Sequence, residues 1–206
     1  MKVAVLGGTG AFGSALARRL AEAGTDVIIG SRDPDRAAAT AAEVGAASGL
    51  ANAEAVGGAD LVVLAVAASA ALRTTAELAD ALGETPVLSV ASDLRIADGA
   101  AFPDDDALSL AERMQQLVRG PVVAGLHSLA AASLTAGKVE GDALVCSDDD
   151  DAKAAALELA ATLVTGRALD AGPLASARAL EGMTAVIVNL NRRYKGHAGV
   201  RIVGLP

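Results

Sequence analysis

Aromatic side chains are almost missing from this chain. Its 206 residues include no tryptophan, one tyrosine and two phenylalanines. A core without rings must be built from Ala, Val and Leu, and alanine-faced helices approach a sheet closely. A planar ligand must then be held by aliphatic side chains and backbone, because aromatic stacking is in short supply. Cysteine is scarce too. Cys146 alone excludes an internal disulfide and fits a reducing compartment. In Ala143-Leu144-Val145-Cys146 it reads as a buried structural thiol in a strand. No apolar run reaches the ~18 residues of a membrane span, and a strand that starts within three residues of Met1 leaves no signal peptide. The expectation is a cytoplasmic protein with no membrane partner. Positive charge is in deficit, with 17 Lys and Arg against 25 Asp and Glu and a net charge of −8. Such a chain is not expected to bind nucleic acid unaided. The acids include Asp104-Asp105-Asp106 and Asp148-Asp149-Asp150-Asp151. Contiguous aspartates point in different directions, so these runs read as a solvated loop and a helix N-terminus, with no metal site.

The N-terminal third carries the strongest positive signal. Val3-Ala4-Val5-Leu6 is followed by Gly8-Thr9-Gly10-Ala11-Phe12-Gly13, an alanine-rich helical stretch, and Val27-Ile28-Ile29-Gly30-Ser31-Arg32. This is strand, glycine turn, helix and strand, the order of a dinucleotide-binding βαβ unit. Gly8 is expected to turn the chain out of the strand. Gly10 has no side chain to hold off a pyrophosphate, and Gly13 lets the helix pack close to the sheet. The pyrophosphate is expected on the free N–H groups of a helix beginning near Ala11. The second strand ends in Ser31 and Arg32, where NAD-binding versions usually carry Asp or Glu for the ribose 2′-OH. A carboxylate repels a 2′-phosphate, whereas a guanidinium binds one through a fork of donors. Arg36 lies four residues further, within reach if a helix starts at Asp33-Pro34. These residues predict NADP(H) over NAD(H).

The rest of the chain alternates. Helix is read over 34–44, strand over 60–66, helix over 69–82 and strand over 86–90. An irregular, mobile loop is expected over 93–106, then helix over 108–118 and strand over 122–126, which delivers His127. Strands over 143–146 and 167–170 flank a helix over 150–163. A long helix covers 174–193, and 199–203 is read as either a last strand or an extended arm. The pattern predicts an α/β fold, a Rossmann-type doubly wound parallel sheet with a small C-terminal α/β extension. The expected division is an NADP-binding domain over 1–138 and a smaller portion over 139–206. Ligands in such sheets bind beyond the carboxyl ends of the strands. The site candidates are therefore Thr9 to Phe12, Ser31-Arg32, Val66 to Ser69, Val90 to Asp93 and His127 to Ala131. No nucleophile elbow, histidine-rich metal site or Cys-x-x-Cys is present. Hydride transfer between two planar groups needs none of these. It needs donor and acceptor carbons held about 3–3.5 Å apart in a dry slot.

Gly7-Gly8-Thr9-Gly10, Gly30-Ser31-Arg32, Leu126-His127-Ser128-Leu129, Asp148-Asp149-Asp150, Leu169 to Leu174 and Leu180-Glu181-Gly182-Met183-Thr184 occur in this order. Together they resemble the coenzyme F420-dependent NADP reductases of archaea and actinobacteria, nearly end to end. Asn191 to Gly199 is similar to the actinobacterial branch. The resemblance implies reversible hydride transfer between C5 of a reduced 5-deazaflavin and C4 of the nicotinamide. It implies NADP contacts at Thr9, Gly10, Ala11, Phe12, Ser31, Arg32 and Arg36, and a nicotinamide side near Val66, Ala67 and Ala131. It implies that His127, Leu129, Gly182 and Thr184 line the deazaflavin, and that the protein is a homodimer or larger. Three departures stand out. Ala67-Ala68 replaces Pro followed by an aromatic, Gly182 replaces a common Ser, and Ala130 follows Leu129. From the residues themselves two other readings stay open: an NADPH-dependent reductase of a flavin or ferric chelate, and a non-catalytic NADP(H)-binding protein.

Overall fold

The computed structural model describes residues 1–205. Its first four elements follow the sequence reading closely: β1 (Lys2–Leu6), α1 (Ala11–Glu22), β2 (Asp26–Ser31) and α2 (Pro34–Val44). α2 shows why. The Asp33 carboxylate accepts from the N–H groups of Asp35 and Arg36, Pro34 occupies the first turn, and Gly45 ends the helix at φ +75°. β3 (Ser48–Ala51) and α3 (Asn52–Gly57) were not expected. Ser-Gly-Leu-Ala carries no β-branched residue, so this strand exists by pairing with β2 in parallel register, Ile28 opposite Ser48. Further on come β4 (Leu61–Leu64), α4 (Ala68–Leu82) and β5 (Val87–Ser89). After them follow β6 (Leu94–Ala97), β7 (Ala100–Pro103), α5 (Leu110–Gln115), β8 (Val122–Gly125) and α6 (Ala131–Ala136). The chain finishes with β9 (Ala143–Cys146), α7 (Asp150–Leu163), β10 (Ala168–Asp170), a 3-10 turn (Leu174–Ser176) and α8 (Ala177–Tyr194).

Eight strands form one sheet in the order β10-β9-β8-β5-β4-β1-β2-β3. The pairs are parallel except β8 with β9, which run antiparallel with Ala124 opposite Cys146. The expected parallel sheet is thus corrected at one junction. After β8 the chain makes no crossover; α6 packs against α1, and β9 starts from the edge at which β8 ends. β9 and β10 extend the same sheet. Alternation along the strands fills two cores. Val3, Val5, Leu61 and Val63 face α1, α2 and α7, whereas Ala4, Leu6, Val62 and Leu64 face α3, α4, α5 and α8.

The expected mobile loop over 93–106 is instead a hairpin, β6 with β7, docked on α8. Asp98 (φ +50°) and Gly99 (φ +75°) make its two-residue turn, the Asp-Gly connection that matches strand twist. The Asn189 side chain donates to the Ala101 carbonyl and accepts from its N–H, both at 2.8 Å. Arg113 ties Asp93 (2.8 Å) to Asp106 (3.2 Å) across the hairpin's base. α5 is shorter than expected, because Ser109 caps it in a capping box with Glu112. The 199–203 segment is the extended arm of the two expected forms. Its Ile202 N–H donates to the buried Asp142 carboxylate at 2.7 Å. Cys146 is fully buried, and burial pushes its thiol up to about 12, so it is inert. Among the described residues no helix is long and apolar enough to cross a membrane, and no cluster of His, Cys, Asp or Glu could hold a metal ion.

Candidate nucleotide and hydride-acceptor site

The chain runs from β1 to β2 and β3 on one side, then returns to β4 on the other. The two directions part between β1 and β4, the place where such sheets bind ligands. A cleft of about 660 Å³ opens there. Its floor is the glycine turn. Gly7 takes the left-handed conformation (φ +79°), and a Cβ on it would lie 2.6 Å from the Ala65 carbonyl oxygen. The sharp turn expected of Gly8 therefore belongs to Gly7, while Gly8 is buried behind it. A Cβ on Gly13 would lie 2.4 Å from the Gly7 oxygen, so only glycine lets α1 approach this closely. Gly10 is exposed and lines the cleft. It is also the N-cap of α1, with no side chain on the helix end and no acid in the first turn. The N–H groups at Ala11, Phe12 and Gly13 are therefore left for an external anion, which is what a pyrophosphate needs.

Thr9, Ser31, Arg32 and Arg36 line the same cleft. The Arg36 guanidinium reaches back over the turn and donates to the Thr9 carbonyl at 3.3 Å. The Ser31 hydroxyl accepts from the Asp33 N–H at 3.2 Å, so its own proton is free to donate. Asp33 also lines the cleft, and its carboxylate is occupied capping α2. Val66 and Ala67 form part of the far wall. Ala68 does not: it packs against the second core beside Leu72 and Val66. Ala70, Arg73, Thr74 and Glu77 of α4 also line the cleft, as does Asn52, whose Oδ1 is buried without a partner. None of these five was expected.

A second cluster sits at the carboxyl ends of β5 and β8, about 10 Å from β4 at the usual strand spacing. Leu126 ends the β8 segment at φ +65°, fully buried. A left-handed leucine costs about 1–3 kcal/mol and persists only where packing over-determines it, commonly at functional sites. It throws the chain round so that His127 follows. The imidazole is 6% exposed, and neither ring nitrogen has a hydrogen-bond partner. Burial drives its pKa down to about 4; the Ala91 backbone lies close enough to oppose this but not in hydrogen-bond geometry, and the ring is neutral near pH 7. The Thr184 hydroxyl donates to the His127 carbonyl at 3.1 Å and lies 2.7 Å from Ser92 Oγ. Since the threonine has one proton, Ser92 is the donor in that pair. Ser92 belongs to the strand-end segments legible in the sequence, but nothing there distinguished it from its neighbours.

The cluster brings His127 and Thr184 together, with Ala131 opening α6 nearby in sequence. Leu129 lies in the first core, 7% exposed. Gly182 faces elsewhere: a Cβ on it would meet Pro103 of the hairpin at 3.5 Å. Two residues along a helix point to different sides, so Gly182 and Thr184 do not share a surface. The residues present fit a dinucleotide at the open end of α1. The two imidazole nitrogens without partners, on a backbone held by the Thr184 hydroxyl, fit a planar polar group next to it.

A family model for coenzyme F420-dependent NADP oxidoreductases matches residues 2–93. The F420-dependent NADP reductase of Methanothermobacter thermautotrophicus is 37% identical over 223 residues, covering 100% of this chain and 96% of the relative. The chain belongs to the F420-dependent NADP reductase family. A second member, from Methanocaldococcus jannaschii, is 34% identical and covers 100% of this chain and 99% of its own. A crystal structure of a candidate F420-dependent NADP-reductase from Arthrobacter sp. FB24 superposes with a TM-score of 0.85 at 26% identity, covering 100% of both chains. The family's likeness thus runs through the cleft, the hairpin and α8.

Proposed function

We propose that this chain catalyses reversible hydride transfer between NADP(H) and the 5-deazaflavin coenzyme F420. Family membership supports the reaction. The observation that carries it is the pairing of an uncapped α1 behind an arginine-lined cleft with buried, unpartnered imidazole nitrogens two strands away. When both are bound, NADPH supplies a hydride at its nicotinamide C4 and the deazaflavin accepts it at C5. The N-terminus of α1 holds the pyrophosphate over Gly7 and Gly10, with Gly8 and Gly13 packed beneath the turn, and Ser31, Arg32 and Arg36 hold the 2′-phosphate. Val66, Ala67 and Ala131 bound the nicotinamide side and exclude water. His127 and Thr184 position the acceptor, while Leu129 packs in the first core and Gly182 faces the hairpin, so neither is assigned a contact with it. His127 is neutral and offers one N–H and one lone pair, so it orients a polar edge without supplying charge. Ser92 fixes Thr184, and Thr184 fixes the His127 backbone.

In this reading residues 1–138 form the NADP-binding domain and 139–206 complete the acceptor site and supply contacts for a cytoplasmic homodimer. The exposed Val186, Leu190 and Tyr194 of α8, with Ile96 and Phe102 of the hairpin, support a self-association surface. Mixing the protein with NADPH and oxidised coenzyme F420, then with FMN or a ferric chelate, tests the assignment. Loss of deazaflavin absorbance, with little change in the other acceptors, is expected. Reduction of FMN alone would favour a flavin reductase, and no turnover of any acceptor would favour a non-catalytic nucleotide binder.

A further inference from the structure

The cleft has a cationic wall that the reading above does not use. β2 and β4 flank β1 on opposite sides, so Arg32, at the end of β2, and Arg73, on α4 after β4, enter the cleft from opposite walls. Ala70, Arg73, Thr74 and Glu77 fall at i, i+3, i+4 and i+7 and form one face of α4. The other face, Ala71, Thr75, Leu78 and Leu82, is buried in the core, which fixes the helix's rotation and aims Arg73 at the ligand space. Arg73 is loosely held. Its one ionic partner is Glu77, 4.0 Å away, and the two side chains are 65% and 62% exposed. Such a pair contributes almost nothing and leaves the guanidinium free to turn. No aromatic residue lines the cleft. The phosphates already have the α1 N-terminus, Ser31, Arg32 and Arg36. What lacks a partner is the flat face of the purine, and a planar guanidinium is the one group on α4 that can cover it.

Resting on the NADP(H) assignment, we propose that Arg73 is a nucleotide-binding residue that stacks on the adenine base, on the wall of the cleft opposite the 2′-phosphate ligand Arg32. It recognises the purine face and not the 2′-phosphate. The test is equilibrium binding of 2′,5′-ADP and 5′-ADP to wild type, Arg73→Ala, Arg73→Tyr and Arg32→Ala, none of which needs coenzyme F420. Arg73→Ala weakens both nucleotides by the same factor, about 3- to 30-fold. Arg73→Tyr, which stacks without charge, retains most of the wild-type affinity, whereas Arg32→Ala weakens 2′,5′-ADP selectively. A loss confined to 2′,5′-ADP, or an Arg73→Tyr as weak as Arg73→Ala, would make Arg73 a phosphate ligand and overturn the proposal. Unchanged binding by Arg73→Ala would overturn it as well. Wild type that binds neither nucleotide would instead remove the NADP(H) assignment on which it stands.

Discussion

In the proposed reading, two residues divide the chemistry between nucleotide choice and acceptor placement. Arg32 stands exposed on the rim of the cleft with Ser31 buried behind it. A charge-assisted bond to the 2′-phosphate is worth about 1.5–3 kcal/mol. Arg32→Ala is therefore expected to raise the KM for NADPH roughly 10- to 150-fold while changing that for NADH little; steady-state kinetics with both nucleotides checks this. His127 acts by position. The site offers no acid–base pair, and His127→Ala is expected to slow single-turnover reduction about 10- to 100-fold without abolishing it. A protonation requirement would predict complete loss in a folded, NADPH-binding variant. The same histidine has a thermodynamic signature. Its native pKa, about 4, lies below its ordinary 6.5, so between these values the unfolded chain binds a proton that the native chain refuses. Its contribution is full above about pH 6.5 and is lost as pH falls toward 4, on the order of 3 kcal/mol in all. Urea midpoints measured from pH 7 to 4 are expected to fall less steeply in His127→Gln.

The elements differ in how much of them the sequence discloses. α1, α2 and α7 are legible because caps, proline and glycine agree with apolar periodicity. Asp149 caps α7 through Ala152 N–H at 2.8 Å, as Asp33 caps α2. The hairpin over 94–103 is masked in the sequence because Gly99, Pro103 and the three acids that follow it have loop composition, although Asp98-Gly99 is the turn that makes it. Its order comes from partners distant in sequence, Asn189 above all, which no local pattern reveals. The antiparallel direction of β9, though not the strand itself, and the whole of the four-residue β3 are hidden for the same reason: pairing decides them, not propensity. At the site, the glycine turn and Ser31-Arg32 were readable because the chemistry is contiguous. Ser92, Arg73 and Asn52 were not, since each is defined only by what the fold brings opposite it. Asn189→Leu tests the hairpin's anchorage. It leaves the Ala101 N–H and carbonyl without partners, an expected loss of about 1–3 kcal/mol per group still buried. Hydrogen exchange is expected to rise over 94–103 first, with β1 and β4 amides unchanged.

At the scale of the whole molecule, one eight-stranded sheet carries both the arginine cleft beyond β1, β2 and β4 and the imidazole cluster beyond β5 and β8, with the β6-β7 hairpin apart from it. Its outer surface on α8 carries Val186, Leu190 and Tyr194, which are 57%, 41% and 72% exposed. If this face joins two copies, Leu190→Glu is expected to convert dimer to monomer by light scattering while NADP+ binding persists. The account's central claim is that the two sites meet across β4 and β5 closely enough for direct transfer. NADPH deuterated at C4 on each face in turn, mixed with oxidised coenzyme F420 in ordinary water, tests that claim. The account predicts that one of the two labels is recovered in full at C5 of the reduced deazaflavin, as read by mass spectrometry. Reduced deazaflavin carrying no deuterium from either label would contradict it.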